Sequence, residues 1–237
     1  MSSYELITYN QPHSFITESF RTLRANLQFL GAGDTLKTIL LAGGGFGEGT
    51  SFVIANLGVV FAQTGQRVVI VDCDLRKPQQ HLIFNLDNHL GLTSVLSGLK
   101  DLDNVLKAVP LAGVRLLTSG PLPANPAELL GSQEMTRLVA GLKEKADVIL
   151  LDTPPLTVVA DAAVLSKAVD GVLIVVRSRV ASHGSVSKAK ELLINAKANI
   201  LGVALNCAGM YEISESYYSN YAADSKNKKR RRKRIKK

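Results

Sequence analysis

A glycine-rich segment that joins an apolar run to a helical pattern places the strongest constraint on the fold of this chain. Residues 43–51 read GGGFGEGTS, directly after the apolar residues 39–42 and before a helix predicted to begin near Ser51. A glycine turn between a strand and a helix directs several backbone N–H groups, and the positive end of the helix dipole, at one point. The segment therefore predicts a binding site for a polyphosphate.

The segment departs from the usual phosphate-binding motif at one position. In G-x-x-x-x-G-K-[ST] the glycines correspond to Gly44 and Gly49 and the last position to Ser51, but Thr50 stands where the lysine belongs. That lysine contacts the β- and γ-phosphates of a nucleotide. Its loss predicts nucleotide binding that is roughly tenfold to a hundredfold weaker, and phosphoryl transfer slowed by ~10²–10³. Because backbone N–H groups and Mg²⁺ remain, we expect binding to suffer less than catalysis.

Apolar runs of strand length alternate with helical patterns along most of the chain. The predicted strands cover residues 37–42, 67–72, 114–119, 147–152, 171–176 and 200–206, and the predicted helices cover 17–30, 51–64, 132–145, 161–168 and 182–197. Strands this apolar, separated by helices, indicate a parallel sheet that is covered on both faces. We predict an α/β fold of the P-loop NTPase type, with a mostly parallel sheet and helices on both faces, in a single domain.

The positive charge of the chain is concentrated at its end. The net charge is +8, but ten of the 28 lysines and arginines fall in residues 226–237, so the remaining 18 face 20 acidic residues. A block of like charges repels itself and stays disordered. We predict an N-terminal segment at 1–36, a nucleotide-binding domain at 37–208 and a disordered basic tail within 209–237.

Composition indicates a cytosolic protein. No stretch approaches the ~20 apolar residues of a membrane-spanning helix, and no secretory signal is visible at the N-terminus. Cys73 and Cys207 fall within or beside apolar runs, which predicts reduced thiols in the core. The four histidines show no metal-ligand spacing.

Aspartates end two of the predicted strands. Asp72 and Asp74 follow the apolar residues 69–71, and Asp152 follows 149–151. Asp152 alone could equally be the N-cap of a following helix. A buried carboxylate is costly unless a cation or hydrogen bonds compensate it, and Mg²⁺ prefers oxygen ligands. Since ligands of parallel sheets bind beyond the carboxyl ends of the strands, we expect these aspartates to converge with the glycine segment around Mg²⁺.

These motifs together resemble the bacterial tyrosine kinases of capsule and exopolysaccharide synthesis, whose P-loop fold is related to the cell-division and plasmid-partition ATPases. The most diagnostic match is DCDLRKP at 72–78, which resembles the second Walker-like motif of that family, and DTPP at 152–155 resembles its Walker B motif. Further similarities are SGP at 119–121, NP at 125–126, ELL at 128–130 and GVALN at 202–206. The resemblance extends from about Glu18 to Tyr221.

The resemblance implies a role for each site residue. It makes Asp72 a candidate base for the tyrosine hydroxyl, and it places Asp74, Asp152 and Ser51 around Mg²⁺. The residues implied to bind ATP are Gly45, Gly47, Glu48, Gly49, Thr50, Ser51 and, near the base, Asn206. Phe46 takes the place of a usual proline. Arg76, Lys77 or an arginine of a neighbouring subunit could compensate for the missing lysine.

Two further features resemble this family more than partition ATPases. Glu18, Arg21 and Arg24 reproduce an E-x-x-R-x-x-R pattern that in the family packs subunits into a ring; spacing alone allows a solvated helix face equally. Four tyrosines crowd together before the basic tail, and in the family such a cluster is the autophosphorylation substrate: Tyr211, Tyr217, Tyr218 and Tyr221. Taken alone, the cluster could be an adhesive disordered segment.

The leading interpretation is a cytosolic protein-tyrosine kinase of polysaccharide export that uses MgATP and needs a membrane-bound activator at the inner face of the membrane. A second interpretation is a catalytically impaired scaffold or regulator of the export machinery, because Thr50 replaces the lysine. A third is a partition-type ATPase whose basic tail binds DNA without sequence preference.

Overall fold

Seven strands form one sheet in the computed structural model, which describes residues 6–31, 36–111 and 113–209. Their spatial order is β3-β4-β2-β5-β1-β6-β7, and every neighbouring pair is parallel except β3 with β4. The strands are β1 Thr38–Gly43, β2 Val68–Asp72, β3 Lys107–Ala108, β4 Val114–Leu117, β5 Val148–Thr153, β6 Gly171–Arg177 and β7 Ile200–Asn206. The mostly parallel sheet is confirmed; only the two-residue β3 was not predicted, since it is too short to show a pattern.

Ten α-helices accompany the sheet in the described part of the chain. They are α1 Ile7–Asn10, α2 Phe15–Leu30, α3 Thr50–Ala62, α4 Gln80–Ile83, α5 Leu92–Leu96, α6 Leu102–Val105, α7 Pro126–Leu130, α8 Gln133–Lys145, α9 Asp161–Leu165 and α10 His183–Asn195. The helix predicted at 161–168 changes to a 3₁₀ turn over Ser166–Ala168. No helix within these residues has the length and hydropathy required to cross a bilayer.

Alternate strand residues build two apolar layers, one on each face of the sheet. Leu40, Val69 and Ile149 belong to the layer that includes residues of α5, α8 and α10. Their neighbours Leu41 and Ile70 belong to the layer that includes residues of α2 and α3. Helices therefore cover both faces, which explains why the central strands read as continuous apolar runs.

Helix α3 is enclosed on almost every side. Its residues from Val53 to Phe61 are all buried, and a side chain at Gly58 would meet the Ile70 side chain at 2.7 Å, so the glycine permits close approach to β2. Asn56 faces α1 instead, where its Oδ1 accepts hydrogen bonds from the backbone N–H and the hydroxyl of Thr8 at 3.0 and 2.9 Å. These contacts fix the middle of α3, the helix that follows the glycine segment, against β2 and α1.

The two cysteines lie in different environments. Cys73 is buried in one of the apolar layers, as its sequence context predicts. Cys207 is exposed, so the prediction of a core thiol is wrong there. The apolar run before it belongs to the edge strand β7, whose Val203 and Leu205 are themselves exposed. An apolar strand at the edge of a sheet is not covered on both faces, which the sequence pattern does not reveal.

Candidate nucleotide site

The glycine segment forms a loop from the end of β1 into the first turn of α3. Gly47 and Gly49 adopt φ of +75° and +83°, which L side chains rarely adopt. A side chain at Gly49 would also lie 2.4 Å from Asn206 Nδ2. Gly49 is the N-cap of α3 and has no side chain to cap the helix. The first turn of α3 therefore presents backbone N–H groups and the positive helix end to a ligand.

The aspartates of β2 and β5 lie side by side at the same edge of the sheet. Asp72 and Asp152 are in direct register, and both side chains are almost fully buried. Burial, and then the charge of Asp152, raise the pKa of Asp72 well above its ordinary value. Burial raises the pKa of Asp152 to about 7, although the neighbouring Ser51 hydroxyl and the Gln80 amide favour its charged form. This edge holds two buried carboxyl groups next to each other, as the sequence predicted.

The carboxylate oxygens differ in what satisfies them. Asp72 accepts backbone N–H groups of Asp74, Gln79 and Gln80 at 3.3, 3.1 and 2.9 Å. Asp152 Oδ2 accepts Gln80 Nε2 at 2.7 Å, whereas Asp152 Oδ1 has no hydrogen-bond partner within the described ranges. An unsatisfied buried carboxylate oxygen is costly, so its retention indicates a site for a ligand.

Gln80 was not recognised from the sequence, yet it connects the end of β2, the end of β5 and the start of α3. Its backbone N–H bonds Asp72, and its side-chain amide donates to Asp152 and, at 3.1 Å, to the carbonyl oxygen of Ser51. A glutamine six residues after Asp74 carries no chemical signal in the chain. Only the fold of residues 73–80, which turns back against β2 and α3, identifies it.

Asp74 and Arg76 organise the loop after β2. Asp74 Oδ1 accepts the backbone N–H groups of Arg76 and Lys77 at 3.1 and 2.8 Å. The Arg76 guanidinium binds both oxygens of the fully buried Asp161, with Nε to Oδ2 at 2.8 Å and a terminal nitrogen to Oδ1 at 2.9 Å. Arg76 is therefore engaged with α9, which argues against the expectation that it replaces the missing lysine.

The loop itself contains a buried glutamate. Glu48 is 2% exposed, and its Oε2 accepts the backbone N–H of Arg177. A side chain at Gly43 would lie 3.1 Å from both Glu48 Cγ and Thr50 Oγ1, so these two side chains pack against the base of the loop. Asn206 Nδ2 donates to the Glu48 carbonyl oxygen at 2.9 Å, which places the end of β7 beside the loop.

The residues of this edge fit Mg²⁺ that is already bound to phosphates. Among the described residues no group of three His, Cys, Asp or Glu side chains could hold a metal ion by itself. Mg²⁺ in phosphate sites uses one or two protein oxygens, waters and the phosphates. The free Asp152 Oδ1 and the neighbouring Ser51 hydroxyl satisfy this requirement.

The predicted oligomerisation residues lie away from this edge, on α2. Glu18 and Arg21 form an ion pair on the helix surface. Arg24 donates to the carbonyl oxygen of Val60, near the end of α3, at 2.7 Å, and burial lowers its pKa. Arg24 thus contributes to the packing of α2 on α3 within one chain. The predicted substrates Tyr211, Tyr217, Tyr218 and Tyr221 lie outside the described residues.

Comparison with known proteins identifies relatives of this chain. A family model described as ParA, NUBPL iron-transfer P-loop NTPase, matches residues 35–233. The tyrosine-protein kinase YwqD of Bacillus subtilis is 38% identical over 213 residues, which cover 90% of each chain. The crystal structure of the chimerical protein CapA2B2 superposes with a TM-score of 0.83 at 39% identity, covering 86% of this chain and 90% of that one. The septum site-determining protein MinD of Pyrococcus horikoshii OT3, complexed with Mg-ADP, superposes at 0.64 with 25% identity, covering 75% and 72%.

Proposed function

The chain belongs to the bacterial tyrosine kinases, within the ParA-type P-loop NTPases, and on that basis we propose that it transfers the γ-phosphoryl group of MgATP to tyrosine hydroxyls. The observation that carries the proposal is the buried pair Asp72 and Asp152 beside the glycine loop, with Asp152 Oδ1 unsatisfied. Such an arrangement is suited to a cation that accompanies phosphates, and not to a structural ion pair.

We assign the catalytic roles as follows. Ser51 and Asp152 would hold Mg²⁺, directly or through water, and Asp74 in the loop after β2 would contribute to the same shell; the ion would neutralise charge on the phosphates. Asp72 accepts the proton of the tyrosine hydroxyl as its oxygen attacks the γ-phosphorus and ADP leaves. The raised pKa of Asp72 makes it a stronger proton acceptor than an ordinary aspartate. Because backbone donors occupy both oxygens of Asp72, access of the tyrosine requires the loop of residues 73–80 to move.

We further propose that the kinase acts on its own tyrosine cluster, presented to a neighbouring subunit. The phosphorylated residues would be Tyr211, Tyr217, Tyr218 and Tyr221, and the partly exposed Glu18–Arg21 pair would contribute to the contact between subunits. The cellular role would be regulation of capsule or exopolysaccharide export. The higher identity to the tyrosine-protein kinase YwqD, 38%, than to the septum site-determining protein MinD, 25%, supports a kinase over an ATPase of the MinD type.

We also propose that the kinase binds a membrane-bound activator. Its cytoplasmic segment would hold the kinase at the inner face of the cell membrane, in the cytoplasm. The ten cations of residues 226–237 would add to this attachment, at ~1 kcal/mol for each residue near an anionic leaflet.

A second function is favoured by one specific observation, the uncharged Thr50 at the lysine position. A chain that binds nucleotide weakly and transfers no phosphate would act as a scaffold or regulator of the export machinery. Both functions share the fold and the partner, and they differ only in chemistry.

Comparison of the natural chain with Thr50→Lys separates these functions. Each is incubated with ATP, Mg²⁺ and the cytoplasmic segment of the activator, and phosphotyrosine is measured; Thr50→Lys combined with Asp152→Asn is the negative control. Phosphotyrosine on both chains supports an active kinase. Phosphotyrosine on the lysine form alone means that the natural chain is a scaffold. Its absence from both contradicts the tyrosine-kinase proposal.

A further inference from the structure

The phosphate loop lacks a lysine and carries a buried carboxylate. Thr50 contributes no charge, and the buried Glu48 places its carboxylate beside Gly44 and Gly45, with Oε1 3.7 Å from the position of a side chain at either glycine. Both features oppose the binding of a polyphosphate, whose own charge is negative. If the loop binds nucleotide, a cation from another element within reach of the phosphates would strengthen that binding.

One arginine already contacts this loop. The Arg177 guanidinium donates from a terminal nitrogen to the Gly47 carbonyl oxygen at 3.2 Å, and the Arg177 backbone N–H binds the Glu48 carboxylate. Arg177 therefore contacts two successive residues of the loop, one through its side chain and one through its backbone. Of the cations considered from the sequence, Arg76 is bound to the buried Asp161.

The topology explains why Arg177 reaches the loop. Strand β6 lies beside β1, and Val175 pairs with Gly43, where β1 ends. Arg177 stands two residues further along, at the carboxyl edge of the sheet, where it pairs with Asn206 of β7. The Arg177 side chain is exposed, so no packing has to be broken when it turns toward a ligand.

The present partner of the guanidinium is one that a phosphate can displace. A backbone carbonyl is a neutral acceptor, and charge-assisted hydrogen bonds from arginine to phosphate are about twice as strong as neutral ones. Movement from Gly47 to a phosphate oxygen would therefore be favourable. The planar guanidinium can also bind two phosphate oxygens in a bidentate geometry that its rigid fork of donors fixes.

We propose that Arg177 supplies, from β6, the positive charge on the bound polyphosphate that Thr50 does not. The inference rests on the proposed binding of MgATP, and it makes Arg177 a phosphate-binding residue of this chain. The backbone contact with Glu48 holds the arginine in place, and the side chain exchanges Gly47 for the ligand.

A double-mutant cycle tests the inference through binding alone. MgATP and adenosine affinities are measured by calorimetry for the natural chain, Arg177→Gln, Thr50→Lys and the double variant. Arg179→Gln is the control, since it removes the same charge from an exposed residue two positions away. Thermal melting checks that each variant is folded; the Arg177 backbone contact with Glu48 does not depend on its side chain.

We expect Arg177→Gln to weaken MgATP binding about tenfold to a hundredfold and to leave adenosine binding unchanged. Arg179→Gln should change MgATP binding less than twofold. In the Thr50→Lys background the effect of Arg177→Gln should shrink to about threefold or less, because the lysine then provides the charge.

Two results would overturn the inference while the proposed function stands. One is MgATP binding by Arg177→Gln that equals that of the natural chain. The other is an equal loss in both backgrounds, which would mean that Arg177 acts independently of position 50. If Thr50→Lys binds MgATP but the natural chain does not, no compensation exists, and the scaffold function is favoured instead.

Discussion

Strand β5 has an aspartate near each end, and the two side chains have opposite properties. Asp147, just before the strand, accepts the backbone N–H and the guanidinium of Arg67, and these hydrogen bonds lower its pKa to about 2. Asp152, at the other end, is buried with one oxygen unsatisfied, and its pKa rises to about 7. Both residues are aspartates near the ends of one strand. The difference between their pKa values therefore arises from the surroundings at the two edges of the sheet.

Asp170, just before β6, and Asp72, at the end of β2, show the same contrast between the two edges. At the amino edge, Asp170 accepts the backbone N–H groups of Lys37 and Thr38 at 2.9 and 2.8 Å and the Lys143 ammonium at 2.7 Å. Burial alone would raise the pKa of Asp170, but these hydrogen bonds lower it on balance. At the carboxyl edge, Asp72 has only backbone donors and lies next to a second carboxyl group.

The carboxylates at the amino edge of the sheet stabilise the fold, whereas those at the carboxyl edge are arranged for binding a ligand. At the amino edge each charge is paired within the chain, so it contributes to stability. At the carboxyl edge the charge is buried without a cation, which destabilises the free protein and strengthens the binding of a cationic ligand. Substitutions at the two edges should therefore change function and stability in opposite ways.

The largest effect is expected for Asp152→Asn, which keeps the shape of the side chain and removes its charge. Phosphotransfer should fall by about 10²–10³-fold, because a preorganised contact to the reacting phosphates is lost. The measurement is phosphotyrosine formation, made in the Thr50→Lys background if the natural chain is inactive. Asp147→Asn serves as the matched control on the same strand. Equal losses for the two variants would remove the distinction between the edges.

The pH dependence of stability tests the same contrast without nucleotide. Because folding raises the pKa of Asp152 to about 7, the folded chain retains a proton that the unfolded chain releases near pH 4. Its contribution to stability is complete below about pH 4 and is lost as pH rises to about 7. The free energy of unfolding of the natural chain, relative to Asp152→Asn, should fall by on the order of 3 kcal/mol between pH 4 and 8.

Asp147 should titrate with the opposite sign. Its pKa is lowered to about 2, so its contribution to stability is present above about pH 4 and is lost as pH falls to about 2. Urea unfolding of the metal-free chain across this range measures both effects. A difference between the natural chain and Asp152→Asn that does not change with pH would contradict the assignment of a proton to that site.

Asp170→Ala should destabilise the protein and leave nucleotide binding unchanged. The substitution leaves the backbone N–H groups of Lys37 and Thr38 and the Lys143 ammonium without their acceptor. Loss of hydrogen bonds to a charged group typically costs about 1.5–3 kcal/mol. Urea unfolding measures the loss, and calorimetry with MgATP tests the folded variant. A weakening of MgATP affinity comparable with that of Asp152→Asn would show that this edge also serves the site.

The smallest change is expected for Asp147→Asn. The partners of this ion pair are 60% and 40% exposed, and salt screens such pairs. The midpoint of urea unfolding should shift less than for Asp170→Ala, and the shift should shrink further in 1 M NaCl. A shift that is insensitive to salt would mean that the backbone hydrogen bond from Arg67, and not the ion pair, carries the effect.

Local signals in the chain were sufficient to predict the framework. The segment 43–51 identified the phosphate loop, because few sequences other than a glycine turn between a strand and a helix present so many backbone N–H groups to one point. Continuous apolar runs identified the parallel sheet, and aspartates at the ends of β2 and β5 predicted the edge where two buried carboxyl groups meet. These signals depend on residues close in sequence, so they can be read without the fold.

The partners of the charged groups became clear only in the folded chain. Nothing in the sequence indicates that Arg76 binds Asp161, 85 positions away, or that Arg177 reaches the loop from β6. Gln80 and the exposed Cys207 were missed for the same reason. A pattern of residue types reports which groups are polar or apolar, whereas their pairing and burial depend on contacts between distant segments, which the packing of strands and helices alone brings together.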